Sequence, residues 1–155
     1  MAAVKLSKII APSFAAVHQD IKEHGHTHYW LKGGRGSTKS SFISVEIVLG
    51  MMRDAGKGLH TNAVVLRRYG VTLRESVFEQ IGWAVNALGV SQLWRDSVSP
   101  MSYTYLPTGQ KILFRGVDDP TKAKSIKFSK GWAKYLWYEE CVEFEGEEKL
   151  RNINQ

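Results

Sequence analysis

The sequence predicts an α/β domain with a largely parallel sheet flanked by helices and an inserted β-hairpin. Three observations predict it. Short apolar runs of strand length alternate with longer runs of helical periodicity. Two of the strand-like runs flank Pro107-Thr-Gly109-Gln110, a turn signal. The 155 residues, with 43% hydrophobic and 23% charged content, suit one globular domain rather than a disordered chain.

Ser13 to Glu23 sets Phe14, Val17 and Ile21 at helical spacing and predicts an amphipathic first helix. Tyr29-Trp30-Leu31 reads as a short first strand entering the turn Gly33-Gly34-Arg35-Gly36. Phe42 to Met52 is almost wholly apolar and long enough for a buried helix, ended by Arg53-Asp54-Ala55-Gly56. Ala63 to Leu66 is short and β-branched, a buried-strand pattern. Leu73 to Leu88 puts Val77, Ile81, Ala84, Val85 and Leu88 on one helical face and stops at Gly89. Ser102–Leu106 and Lys111–Arg115 form the hairpin, Asp118 to Lys127 a polar loop, and Tyr135–Tyr138 a last strand ending in Glu139-Glu140. Glu147 to Asn154 has the makings of a final helix.

Charge narrows the partners. Six acids fall between Glu139 and Glu148 with no base among them, so the net +6 leaves the other 145 residues at +12. A basic body suits a polyanion, nucleic acid or nucleotide phosphate, and equally a chain kept soluble by its charge. The single cysteine, Cys141, excludes an internal disulfide framework and a cysteine-based zinc site, which fits a reducing cytoplasm. Ile9 to Val17 is broken by Pro12 and Ser13 and falls well short of the roughly 20 residues of a membrane span. Lys5 and Lys8 precede it, but no small-residue cleavage site follows. The expectation is a soluble, unexported chain.

The octapeptide Gly33-Gly34-Arg35-Gly36-Ser37-Thr38-Lys39-Ser40 lies between a predicted strand and a buried helix, the context of a phosphate-binding loop. Residues without side chains let backbone N–H groups curl around phosphate oxygens, and the helix that follows points its positive end at them. Lys39 would reach the β- and γ-phosphates, and the Ser40 hydroxyl would ligate Mg²⁺. Thr38 departs from the generic pattern by standing where glycine is usual; if it takes φ > 0, the cost is roughly 1–2 kcal/mol. A tight turn that happens to precede a helix would look similar. At the end of the last strand, Glu139 is the candidate to hold Mg²⁺ through water and Glu140 to orient and polarise the attacking water, although a buried strand ending in a solvated acidic run reads the same way. Arg35 is a candidate arginine finger supplied in cis, and Arg67 and Arg68 are candidates for a neighbouring subunit's nucleotide or plain surface charge.

With these residues in order, the chain resembles phage terminase large subunits, in particular the PBSX-like group. The similarity is carried by Leu31–Phe42, Val65–Arg68, Leu73–Phe78, Pro107–Gln110, Phe114–Pro120, Lys124-Ser125 and Trp137–Glu140, and covers the chain from about Tyr29. In that family the loop accommodates threonine before the lysine and a glutamate opens the acidic pair. The resemblance implies a P-loop NTPase fold of the ASCE (RecA-like) type. It also implies an ATPase that drives double-stranded DNA into a capsid, with ATP and Mg²⁺ at the loop. By position, Lys39 and Ser40 bind phosphate and Mg²⁺, Glu139 is the metal-side acid, Glu140 the catalytic base, and Arg35 the sensor of the γ-phosphate. The implied partners are a terminase small subunit, a capsid portal and further copies in a ring, in the cytoplasm of a bacterial host, with no membrane. It further implies that residues 1–155 are a partial N-terminal ATPase domain. The strand carrying the coupling motif, which normally lies between the first and the acidic-pair strands, and the C-terminal nuclease are then both absent. A gap in the sheet is expected.

Weaker signals remain. His24, His26 and His28 alternate and would share one face of an extended chain, either as a divalent-metal site or as surface histidines. Trp83, Trp94, Trp132 and Trp137 suit core packing better than base stacking. Cys141 has no basic neighbour to activate it and reads as a packing residue. Lys122, Lys124, Lys127 and Lys130 would either touch DNA phosphates or face water. The competing functions are another P-loop ATPase or kinase, and a non-catalytic scaffold that keeps the loop; neither a second phosphate-acceptor site nor an arginine-rich lid is visible for a kinase.

Overall fold

A computed structural model of the chain describes residues 3–141. The expected helix over Glu147–Asn154 lies outside the described residues. The elements are α1 (Ala15–Lys22), α2 (Lys39–Gly56), β1 (Thr61–Arg67), α3 (Glu79–Ala87), β2 (Trp94–Val98), β3 (Met101–Tyr105), β4 (Gln110–Gly116), α4 (Pro120–Lys124) and β5 (Trp132–Tyr138).

One five-stranded sheet runs in the order β2-β3-β4-β1-β5. β1 lies parallel to β4 and to β5, whereas β3 is antiparallel to both β4 and β2. The sheet is therefore mixed, not largely parallel. Its antiparallel half is a three-stranded meander, because β2 extends the expected hairpin. Trp94-Arg95-Asp96-Ser97-Val98 hides its strand character behind three polar residues: only Trp94 of the five is buried, as befits an edge.

β1 lies between β4 and β5 and is buried from Thr61 to Leu66. Its side chains alternate between two layers. Ala63 and Val65 join the main core with Phe42, Val45, Val48 and Met51 of α2 and Ile81, Ala84 and Val85 of α3. Val64 and Leu66 face a smaller cluster closed by Val117, Ile126, Phe128 and Tyr138. Among the described residues, α1, α2 and α3 thus join the core on one face of the sheet, while the residues closing the other come from β5 and the segment after β4. α1 docks through Phe14, stacked on Phe42 with centroids 4.5 Å apart. The helix expected from Leu73 opens with a π-helical turn, Arg74–Phe78, before α3.

Two expectations fail here. Tyr29–Leu31 is not a strand. A strand needs a paired edge: β1 has neighbours on both sides, and residues 29–31 pair with neither edge strand, β2 or β5, of the described sheet. The Tyr29 hydroxyl instead donates to Asp20 Oδ2 (2.6 Å) and His26 O (3.0 Å), and Trp30 is 71% exposed. Of the tryptophans assigned to the core, Trp94 and Trp137 are buried but Trp83 and Trp132 are exposed. Trp132 opens β5, an edge strand among the described residues. No helix among the described residues is long and apolar enough to cross a membrane.

Candidate functional site

α2 begins at Lys39, straight out of the glycine-rich loop. Gly36 takes φ +79°, and Thr38 takes φ +60°, ψ 17°, the left-handed conformation whose cost the sequence put in question. The loop closes on itself through Ser37 N–H to Gly34 O at 3.3 Å, and the helix starts with Phe42 N–H to Thr38 O at 3.0 Å. The Lys39 ammonium folds back across the loop, donating to Gly33 O (2.6 Å), Ser37 Oγ (2.7 Å) and Gly34 O (3.4 Å). A Cβ at Gly33 would come within 2.9 Å of Ser37 Oγ and 3.4 Å of Lys39 Nζ, so a side chain there would have to displace Ser37. Arg35 and Gly34 are exposed at the turn.

β5 brings the acids. Its pairing with β1 continues past the strand in Glu139 N–H to Leu66 O at 3.0 Å. Glu139 Oε1 then accepts from Ser40 Oγ at 2.9 Å, joining residues 99 apart in sequence. Burial pushes the Glu139 carboxyl above the usual carboxylate range and the Glu140 charge adds to this, against the Ser40 hydrogen bond and the Arg67 charge. Glu140 takes φ +53° and is exposed, so the chain swings away as it leaves the sheet. Cys141 is half-buried, and burial raises its thiol pKa, as suits a packing residue.

Arg67 ends β1 beside this acid in its own chain. Its Nη1 donates to Thr72 O at 3.3 Å, and its buried Nε has no hydrogen-bond partner. Arg68 turns elsewhere, its guanidinium 5.0 Å from the Tyr69 ring centroid. An open groove of about 470 Å³, lined by Ser40, Ser41, Glu75, Gln80, Trp83 and Glu139, adjoins the Ser40–Glu139 pair. The π-helical turn thus faces the site, a placement common for such turns.

The weaker candidates disperse. His26 Nδ1 lies 2.9 Å from Asp20 Oδ2, and His28 Nδ1 lies 2.9 Å from Thr27 Oγ1. The four lysines do not form one patch. Lys122 and Lys124 sit on α4, after the C-terminal end of β4, whereas Lys130 lies at the opposite edge, where its carbonyl accepts from Asn62 Nδ2 at 3.0 Å.

Two polar clusters escaped the sequence reading. Asp54, taken only as a helix-end signal, accepts from Lys134 Nζ (2.9 and 3.0 Å), Tyr135 OH (2.7 Å) and Thr61 Oγ1 (2.8 Å). Gln110 Nε2 extends the network to Thr61 O (2.8 Å) and Met51 O (3.1 Å). Glu46, buried in mid-α2, is bound by His18 Nδ1 of α1. That pair had a signal: one acid inside an otherwise apolar helical run needs a partner.

The arrangement has the parts for binding a phosphorylated ligand with a cation. A Cβ at Gly33 would press on the Ser37 side chain, a lysine reaches across the loop, and a hydroxyl and a carboxylate, hard oxygen donors that suit Mg²⁺, stand together at its edge. The profile of the phage terminase large subunit family matches residues 25–155. The chain is 43% identical over 155 residues to "Terminase, large subunit" of Bacillus phage SPP1, covering all of this chain and 36% of that protein. It is 31% identical over 126 residues to "PBSX phage terminase large subunit" of Bacillus subtilis (strain 168), covering 80% of this chain and 27% of that one. The chain spans about a third of the length of the curated relatives it matches.

Proposed function

The chain belongs to the phage terminase large subunit family, and from that premise we propose that it is the ATP-binding and ATP-hydrolysing part of a motor that moves double-stranded DNA into a capsid. The observation that carries the reading is the hydrogen bond between Ser40 and Glu139. It brings the hydroxyl directly after the loop lysine and the acid at the end of β5 within 2.9 Å, a spacing that supports their sharing one cation.

In this reading backbone N–H groups of residues 34–38 and the positive end of α2 bind the phosphates, and Lys39 leaves the loop carbonyls to neutralise them. Ser40 and Glu139 would hold Mg²⁺, which when bound offsets charge on the β- and γ-phosphates. Glu140 orients the attacking water and takes its proton. Arg35, exposed on the loop, stabilises charge on the γ-phosphoryl group as its bond to the leaving oxygen breaks. The small subunit, the portal and further copies in a ring are the partners this reading carries, in the host cytoplasm.

ATP binding and turnover by wild type, Lys39→Ala and Glu140→Gln, with and without duplex DNA, test it. Glu140→Gln is expected to keep nucleotide binding and lose turnover by about 100-fold or more, and Lys39→Ala to lose both. Equal behaviour of all three proteins would overturn the reading in favour of a non-catalytic scaffold.

A further inference from the structure

We infer that the two loops following β1 and β4 form a single rigid surface that grips the phosphate backbone of double-stranded DNA; this rests on the DNA-moving reading above and assigns its contact site.

The loops are locked to each other. Val117 N–H donates to Arg67 O (3.0 Å) and Asp118 N–H to Arg68 O (2.8 Å). The Asp118 carboxylate accepts from Gly70 N–H at 3.1 Å. Gly116 packs so closely that a Cβ there would meet Gly70 N at 2.3 Å. Backbone against backbone leaves little freedom, so the two segments project their side chains from positions fixed relative to each other.

Charge is sorted across the platform. Arg68, Arg115, Lys122 and Lys124 are its cations, Asp118 and Asp119 its acids. Both acids are turned to their own backbone: Asp118 to Gly70, Asp119 to the N–H groups of Thr121 (3.1 Å) and Lys122 (3.4 Å). The Lys122 ammonium lies 3.8 Å from Asp119 in an exposed pair, too weak to keep it from a phosphate. An open cavity of about 350 Å³ lies between the loops, lined by Val71, Arg115 and Lys122 and by the two backbone-bound acids, Asp118 and Asp119. Tyr69 is exposed, and Val71 is 89% exposed. Two apolar side chains are far too little for a standard protein interface, whereas spaced cations around a shallow concavity fit a backbone contacted without regard to sequence. β1, β4 and β5 are parallel, so this platform sits at the sheet edge that also carries Glu139.

The test measures binding of a labelled 30-base-pair duplex of mixed sequence to the chain across a salt series. Lys122→Glu/Lys124→Glu is compared with Lys5→Glu/Lys8→Glu, an equal charge change where Val4 meets Gly89 beyond the end of α3. The Lys122/Lys124 double variant is expected to weaken binding at least tenfold at 100 mM salt. It should also flatten the slope of log affinity against log salt by about 2, as loss of two phosphate contacts requires. The control should change affinity less than threefold. Equal weakening by both doubles, no change in the first, no duplex binding at 20 mM salt, or displacement by polyglutamate as efficient per charge as by duplex would each overturn the inference. ATP binding is measured on the same proteins. Duplex binding that follows Lys122 and Lys124 in a chain that binds no ATP leaves this surface standing and removes the motor reading. ATP binding with duplex binding indifferent to both lysines does the reverse.

Discussion

At its C-terminal end, helix α2 meets β5 through Asp54, whose carboxylate accepts hydrogen bonds from Lys134, Tyr135 and Thr61. At its N-terminal end, about 21 Å away at 1.5 Å per residue, the same helix meets the residue that follows the same strand through one hydrogen bond, Ser40 to Glu139. The first junction is saturated. Burial alone would raise the Asp54 carboxyl, but its three donors outweigh that and hold it below the usual range. The second is kept unsatisfied: Glu139 titrates high, Thr38 and Glu140 sit in left-handed backbone, and Lys39 is bound only to carbonyls and a hydroxyl of its own loop. One end of the helix stabilises the fold, and the other is the end that the proposed function assigns to a ligand.

Substitutions separate the two ends, and the largest effect belongs to the loop. Lys39→Ala should weaken ATP binding at least 100-fold by titration calorimetry while moving the melting midpoint by less than about 2 °C, since its bonds are exposed and local. A large loss of stability would show that the two ends do not divide the work. Next is Asp54→Ala, which strands Lys134 and Tyr135. It should cost about 2–3 kcal/mol, a fall in midpoint of about 6–9 °C by scanning calorimetry, with ATP affinity at 20 °C unchanged within about threefold. Its pH signature follows from the depressed carboxyl: the stabilisation is present above the unfolded value of 3.8 and is lost as pH falls through the lower folded value.

Glu139 carries the opposite signature, which Glu139→Gln should abolish. Because the Glu139 carboxyl is raised, the unfolded chain gives up its proton first, and stability declines as pH climbs from the ordinary value of 4.5 through the raised one. Removing the charge should raise the midpoint at neutral pH in chelator by about 3 °C, as about 1 kcal/mol does in a domain of this size. It should also weaken Mg²⁺-dependent nucleotide binding about tenfold. Unchanged stability would mean Glu139 is better solvated than its burial implies. The smallest effect is Thr38→Gly, which relieves left-handed strain but adds freedom to the unfolded chain. The midpoint should rise by about 2 °C; a fall would mean that the Thr38 hydroxyl, bonded to Ser37 O at 2.7 Å, outweighs the strain.

The two ends also differ in how far the sequence disclosed them. Gly33–Ser40 is a contiguous string whose residue types have a joint chemical meaning, and Glu139-Glu140 punctuates an apolar run. Asp54, Lys134, Tyr135, Thr61 and Gln110 come from four elements with no spacing in common, so no one-dimensional pattern links them. β1, α2 and the β3–β4 hairpin were legible because a buried strand or helix must be apolar in its own period. β2 was not, since an edge strand can be polar, and Tyr29–Leu31 misled because an apolar run becomes a strand only where it pairs, which its own residues do not decide.

Composition, periodicity and adjacency in the chain settled the α/β class, the buried segments and the loop that precedes α2, all properties a few neighbouring residues hold by themselves. Strand order, the mixed sense of the sheet, the meeting of Ser40 with Glu139, the Asp54 network and the parting of Lys130 from Lys122 and Lys124 came only with the tertiary structure. Each depends on which distant segments pack together, and that is decided by the free energy of the whole core, not by any window of sequence.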